Sequence, residues 1–313
     1  MMENNLAIII PAYKADFLDD ALQSIANQTC KRFTLYIGDD CSPNNLYAIV
    51  CKYEGLIDIV YKKFAKNIGG YDLVGQWERC IDMVQEEEWL WLFSDDDIMT
   101  NNCVEEFYKY LDSDKEAQLL HFNVDIINEK GKCEKQGNLF PSRLSSLDFF
   151  RRRMEGEIFS FAVEYVFTRK LYFQNGKFQK FDLAWCSDDA TWVKFARDFD
   201  ILTINSSAKV YWRYSGQNIS SLNVDESILL RKLNSKLEYL KWAINFFKDN
   251  RIALTYNRVS KIKWVLLDLK EFYYLPLLKR LNIAYRYGAK TGFFVDGLLG
   301  VLYVIYIEFK KRI

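Results

Sequence analysis

Histidine is almost absent: His121 is the only one in 313 residues. A metal centre built on several imidazoles is thereby excluded. The seven cysteines form no CxxC pair and no zinc-like spacing, so thiolate metal sites and a disulfide framework fall away as well. Their odd, scattered count reads as reduced thiols in a cytoplasm-like compartment. Net charge is also lacking, with 42 Lys and Arg against 42 Asp and Glu, which argues against a chain that binds nucleic acid over its whole surface. No run of 18 uncharged apolar residues is present to suggest a membrane span. The opening "MMENNLAIIIPAY" puts an acid before a short apolar run and has no basic n-region, so it does not read as a signal peptide. Internal repeats and low-complexity linkers are missing too.

What remains is the composition of a globular protein, half of it hydrophobic. The zero charge hides an asymmetry. From Pro276 to Ile313 there are seven Lys and Arg against two Asp and Glu, about +5, which leaves about −5 for the rest. Short apolar runs alternate with helical spacing along the first third. "LAIII" (Leu6 to Ile10, stopped by Pro11), "FTLYI" (Phe33 to Ile37), "LIDIVY" (Leu56 to Tyr61) and "WLWLF" (Trp89 to Phe93) read as buried strands. Helices are expected over 19–29 and 72–84, and this alternation predicts an α/β, doubly wound sheet. Further on, 118–124, 159–167 and 208–215 read as strands, with helices to Leu111 from a cap at Asn101 or Asn102, and over 189–198. Beyond Asp225 the pattern is wholly helical.

Three polar clusters directly follow strands: Pro11-Ala12-Tyr13, Asp39-Asp40 and Asp95-Asp96-Asp97. Parallel strands would project all three from one sheet edge, where doubly wound folds bind ligands. The aspartate triplet at the end of "WLWLF" could be a solvated, helix-capping cluster. Alternatively, its mutual repulsion is offset by a cation. With no His or Cys cluster nearby, that cation would be Mg²⁺ or Mn²⁺ on hard carboxylate oxygens, bridging to a diphosphate.

"LAIIIPAYKADFLDDALQSIANQT", "FTLYIGDDCSP", "NIGG" and "WLFSDDD" occur in an order that resembles the nucleotide-binding half of family 2 glycosyltransferases, over roughly residues 5–110. The resemblance implies a GT-A fold: a Rossmann-like, doubly wound mixed sheet with a C-terminal helical extension. It implies a glycosyltransferase domain over 1–224, with a nucleotide-binding half to about 112 and an acceptor half from about 113. A helical region over 225–313 follows. Carried over by position, Pro11, Ala12 and Tyr13 would line the nucleotide pocket, with Tyr13 against base or ribose. Asp40 would accept a hydrogen bond from the base, Asp39 would support the turn, and Asn67 and Gly69 would border the donor. Asp95 and Asp96 match the positions for ribose and metal, with Asp97 beside them. Ser94 stands where the family more often has the first acid, so the metal ligand stays open among the three.

For the base, "LAWCSDDATWVKFARDF" (Leu183 to Phe199) is similar to the family's E-D-x-x-x-x-x-[RK] element. Matching on Lys194 implies Asp188 as the catalytic base, with Asp189 the next candidate and Ser187 in place of the usual preceding acid. Read on their own, both aspartates are ordinary helix-starting acids. "YWRYSGQNISS" (Tyr211 to Ser221) resembles the family's stretch after the last core strand. That would bring Arg213, with Gln217 or Asn218, to the departing diphosphate, where Arg can bind bidentately. Trp185 and Trp192 are candidate sugar platforms, and His121 reads as a buried core histidine. In the tail, ten apolar or glycine residues from Leu298 to Ile307 lead to Lys310-Lys311-Arg312. As a helix, Gly292 to Phe309 would span about 27 Å, but Asp296 and Glu308 interrupt it. It could lie on a membrane surface, dock on its own domain or meet a second subunit.

The expectation is a metal-dependent, inverting transferase. It would move a sugar from a UDP-linked donor to a surface polysaccharide or lipid-linked glycan, in the cytoplasm or at the inner membrane face, without nucleic acid. A catalytically silent nucleotide-sugar binder is the alternative. A nucleotidyltransferase would need a Gly-rich phosphate loop that "PAYKADF" does not supply.

Overall fold

A computed structural model describes residues 4–216, 218 and 226–310; Gln217, Lys311 and Arg312 lie outside the described residues. The first third alternates as the apolar pattern requires. Strands β1 (Leu6–Ala12), β2 (Thr34–Asp39), β3 (Asp58–Lys63) and β4 (Trp89–Leu92) are separated by helices α1 (Leu18–Ala26), α2 (Tyr47–Val50) and α3 (Leu73–Ile81). The four strands run parallel in the order β3-β2-β1-β4. Every side chain from Leu6 to Ile10 is buried, as in a strand covered on both faces. Each Leu or Ile there contributes about 1.5–3 kcal/mol. β1 runs through Pro11 instead of stopping at it. Its register pairs Ile9 with Leu92, the last residue of β4, so Pro11 lies beyond that neighbour and its missing N–H breaks no ladder bond there.

β5 (Ile98–Met99), α4 (Cys103–Ser113), β6 (Leu119–Phe122), β7 (Val124–Asn128), β8 (Cys133–Gln136), β9 (Arg143–Leu144) and α5 (Ser146–Glu155) follow. After them come β10 (Tyr165–Thr168), α6 (Arg169–Gln174), α7 (Ser187–Phe199), β11 (Ile201–Ile204) and β12 (Val210–Tyr214). The large sheet has the order β3-β2-β1-β4-β10-β6-β11-β9, and a small one the order β5-β12-β7-β8. β10 is antiparallel to both β4 and β6, which makes the large sheet mixed.

Two expected strands are revised. Residues 118–124 break at Asn123, whose side-chain carbonyl accepts the Phe140 N–H and whose backbone carbonyl accepts that of Val210, so β6 and β7 join different sheets. In 159–167, a one-turn helix at Ala162–Glu164 precedes β10. His121 is a core residue, stacked on Phe140 at 3.9 Å, and burial lowers its pKa to about 3.

The chain forms two compact units. One comprises 1–146, 158–179 and 191–216 and holds both sheets; the other comprises 147–157, 180–190 and 217–313. In the second, α8 (Glu226–Asp249), α9 (Arg258–Val265), α10 (Leu277–Ala289) and α11 (Phe294–Lys310) dominate. α10 and α11 approach backbone to backbone: a Cβ at Gly300 would sit 2.6 Å from the Ala284 carbonyl oxygen. Arg280 pairs with Glu308 at 2.7 Å, and Arg258 pairs with the buried Asp296.

Candidate active site

Because β1, β2 and β4 are parallel, the polar clusters that follow them leave the sheet at one edge, and hydrogen bonds join them. The Tyr13 and Lys14 N–H groups both donate to Asp95 Oδ2 at 2.8 Å. Ser42 Oγ donates to the Tyr13 carbonyl at 2.6 Å, and the Asp40 N–H to the Ala12 carbonyl at 2.9 Å. Asp39 is buried and accepts from the Ser42 N–H (2.7 Å) and the Tyr61 hydroxyl (2.6 Å), which fixes the turn after β2. Asp40 accepts from the Ile68 and Gly69 N–H groups at 2.8 and 2.7 Å and pairs with Arg79, whose guanidinium covers the Phe64 ring. Asn67 Oδ1 accepts from the Gly70 N–H at 3.3 Å. The carboxylate expected to read a base is therefore 2% exposed and engaged by the 67–70 loop. Tyr13 is 44% exposed.

The aspartate triplet is buried, and its three side chains do different things. Asp95 staples the Tyr13–Lys14 turn. Asp97 accepts the Arg213 N–H at 2.7 Å. Asp96 accepts from Ser94 Oγ at 2.6 Å and Ser215 Oγ at 3.2 Å, and Lys14 Nζ bonds to it directly while lying 3.5 Å from Asp95. Burial pushes the Asp97 carboxyl well above the usual carboxylate range, and Asp96 adds to the shift. Asp95 is raised by burial too, against the pull of Lys14. Burial of Lys14 favours its neutral form, but Asp95, Asp96 and Asp97 together outweigh that and raise its pKa. Lys14 thus offsets part of the triplet's charge, a role that sequence reasoning missed although Lys14 directly follows Tyr13.

Among the described residues, no three His, Cys, Asp or Glu side chains converge to hold a metal ion. The donor set does not fit an all-protein cage. It fits a hard cation held by one or two carboxylates with phosphate oxygens completing the shell. An ammonium already seated on Asp96 marks that carboxylate as suited to positive charge.

Arg213 is 1% exposed. Its guanidinium donates to the carbonyls of Asp96 (2.7 Å) and Glu129 (3.0 Å) and to Asp20 (2.9 Å), and it lies over the Phe17 ring. Through these bonds Arg213 clamps the Asp96 backbone.

Asp188 and Asp189 belong to the other unit, on the first turn of α7. They differ sharply. Asp189 is buried and takes a bidentate pair from Arg153, Nε to Oδ1 and Nη2 to Oδ2, both at 2.8 Å. Asp188 is half-buried and is in no ion pair among the described residues. Burial and then the Asp189 charge raise its carboxyl to about 7. Arg153 was not legible beforehand because it sits in a run of three arginines; Arg151 and Arg152 pair with Glu155 and Glu157 instead. The loop before α7 is strained, with Leu183, Ala184 and Cys186 at φ 59°, 54° and 66°. Each costs about 1–2 kcal/mol, and such clusters favour functional sites. Ser187 Oγ holds this loop by accepting the Phe181 N–H at 3.0 Å. The Trp185 indole N–H is buried with no acceptor among the described residues. Trp192, whose indole N–H also has no acceptor among the described residues, is a core residue stacked on Tyr165 at 4.2 Å.

Residues 7–174 match the model of glycosyl transferase family 2. No curated protein matches significantly. Similar solved structures include residues 1–349 of S. aureus TarS in complex with UDP-GlcNAc, at 15% identity and TM-score 0.63, covering 92% of this chain and 81% of that one. Another S. aureus TarS structure, at 14% identity and TM-score 0.59, covers 98% of this chain and 53% of that one. The mannosyltransferase PcManGT from Pyrobaculum calidifontis, in complex with GDP-Man and Mn²⁺, shares 14% identity with TM-score 0.54, covering 98% of this chain and 88% of that one. At these identities the likeness is one of fold.

Proposed function

Because the chain belongs to glycosyl transferase family 2, we propose that it moves a sugar from a UDP-linked donor to a hydroxyl of a surface polysaccharide or lipid-linked glycan, inverting the anomeric carbon. The observation that carries this reading is the hydrogen-bonded union of Tyr13, Asp40 and the aspartate triplet at one sheet edge. Tyr13 offers an exposed ring to base or ribose, and the 67–70 loop borders the donor. Asp96, with Asp97 beside it, is suited to hold Mn²⁺ or Mg²⁺, which when bound supplies Lewis-acid stabilisation of the diphosphate. Arg213 and Asp95 keep that edge rigid.

In the transfer step the acceptor oxygen attacks the anomeric carbon, and the bond from that carbon to the diphosphate oxygen breaks with its electron pair leaving on UDP. The acceptor proton passes to Asp188, whose near-neutral pKa and freedom from ion pairs among the described residues suit a general base. Asp189, locked to Arg153, positions the turn that carries it. All seven cysteines are free, which supports a cytoplasmic setting.

Calorimetry with UDP and Mn²⁺, run beside donor turnover, tests the reading. Binding together with turnover is the expected result. Binding with no turnover across a donor panel would favour a silent nucleotide-sugar binder, an alternative suggested by the serines at 94 and 187.

Lys14 gives a separate expectation. Its ammonium competes for Asp96, so Lys14→Met should bind Mn²⁺ alone about tenfold more tightly than wild type, a difference of about 1.4 kcal/mol. Equal Mn²⁺ affinities by calorimetry would show that Lys14 does not guard the carboxylate.

A further inference from the structure

α11 is apolar on two faces. One, through Gly297, Gly300, Val304 and Ile307, is buried, with Gly297 and Gly300 against α10. The other carries Phe294, Leu298, Leu302, Tyr306 and Phe309, all more than half exposed. Their spacing puts them on one stripe along the whole helix. A contiguous apolar stripe of this length on a soluble surface marks an interaction site.

Two observations identify the occupant. The acids that interrupt the tail do not reach the stripe: Asp296 is buried against Arg258, and Glu308 is paired with Arg280. Among the described residues from 258 to 310, Glu271 is the one exposed acid, against Lys263, Lys270, Arg286, Lys290 and Lys310 among the exposed bases. Lys263 lines an apolar cleft of about 220 Å³ shared with Leu302, Tyr303 and Tyr306. Lys310 follows Leu302 and Tyr306 at four-residue intervals, on the same side of the helix. A second copy docked through this face would bring like charges together, whereas an anionic lipid surface would meet apolar side chains and bases at once. No helix among the described residues is long and apolar enough to cross a membrane.

We infer that α9–α11 dock on an anionic bilayer, with α11 lying in the interface and its stripe facing the acyl region. This inference is independent of the transfer reaction. The test is sedimentation of the full chain with vesicles of phosphatidylcholine alone or with one-third phosphatidylglycerol. Wild type should sediment with the anionic vesicles, with at least tenfold weaker binding to neutral ones or in high salt. Leu298→Asp/Leu302→Asp should lose at least tenfold in binding while keeping its circular dichroism, and Lys263→Glu/Lys310→Glu should weaken binding without touching the stripe. Undiminished binding by both double variants overturns the inference, as does equal binding to neutral vesicles. So does absence of vesicle binding by a chain that is a dimer in ultracentrifugation and becomes a monomer in the Leu298→Asp/Leu302→Asp variant. UDP calorimetry on the same samples separates failure here from failure of the transferase reading.

Discussion

Asp188→Asn lowers transfer about 10²–10⁴-fold, the range that a positioned general base supplies, and leaves UDP affinity within about twofold. In the wild type, kcat/KM should rise with pH and level off above an apparent pKa near 7, because the proposed base works only when ionised. Stability moves the opposite way. The Asp188 carboxyl has an ordinary value of 3.8 and a folded value of about 7. A group raised on folding contributes stability that is intact below the unfolded value and is lost as pH climbs through the folded one. Asparagine cannot ionise and keeps that contribution. Thermal unfolding should therefore find the variant more stable than wild type at pH 8 and matched to it at pH 4. A variant that loses activity and stability together would reveal a structural role.

Asp96→Ala should abolish detectable transfer and weaken UDP binding in the presence of Mn²⁺ by at least 10²-fold, in line with the loss of a main electrostatic element. The fold should tolerate it. Burial and the Asp96 charge both raise the Asp97 carboxyl, so removing Asp96 relieves repulsion in a buried cluster. Asp95 still staples the Tyr13–Lys14 turn, and Arg213 still holds the Asp96 carbonyl with its guanidinium and the Asp97 carboxylate with its N–H. Melting temperature at neutral pH should stay level or rise. A retained metal response with full turnover would assign the cation to another carboxylate.

Much of this was written locally in the chain. Apolar runs ending in Pro11, Gly38 and Asp95 announce β1, β2 and β4, since a parallel strand buried on both faces needs no partner to be recognised. The convergence of Tyr13, Asp40 and the triplet followed from strand direction alone. The direction of β10 did not, because antiparallel pairing between β4 and β6 is decided by contacts far apart in sequence. The one-turn helix at 162–164 was hidden by β-like residues whose local preference the tertiary context overrode. Lys14 and Arg153 were missed for a related reason. A lysine in a turn and an arginine among three arginines look solvated until acids 82 and 36 residues away are folded against them. That Arg153 pairs with Asp189 and not with Asp188 was likewise hidden, since both aspartates stand side by side at the start of α7.

On the proposed reading, in which the 67–70 loop borders the donor, the clamp of Asp40 on that loop limits how donor preference could be re-engineered. An alanine at Gly69 would put its Cβ 2.6 Å from Asp40 Oδ2, and the Asp40 oxygens already hold the Ile68 and Gly69 amides. Discrimination between a pyrimidine and a purine would then reside in the contour of the main chain. Exchanging uracil for guanine would call for grafting the segment as a whole, since a swap at either position alone disrupts the mould before it changes the cast.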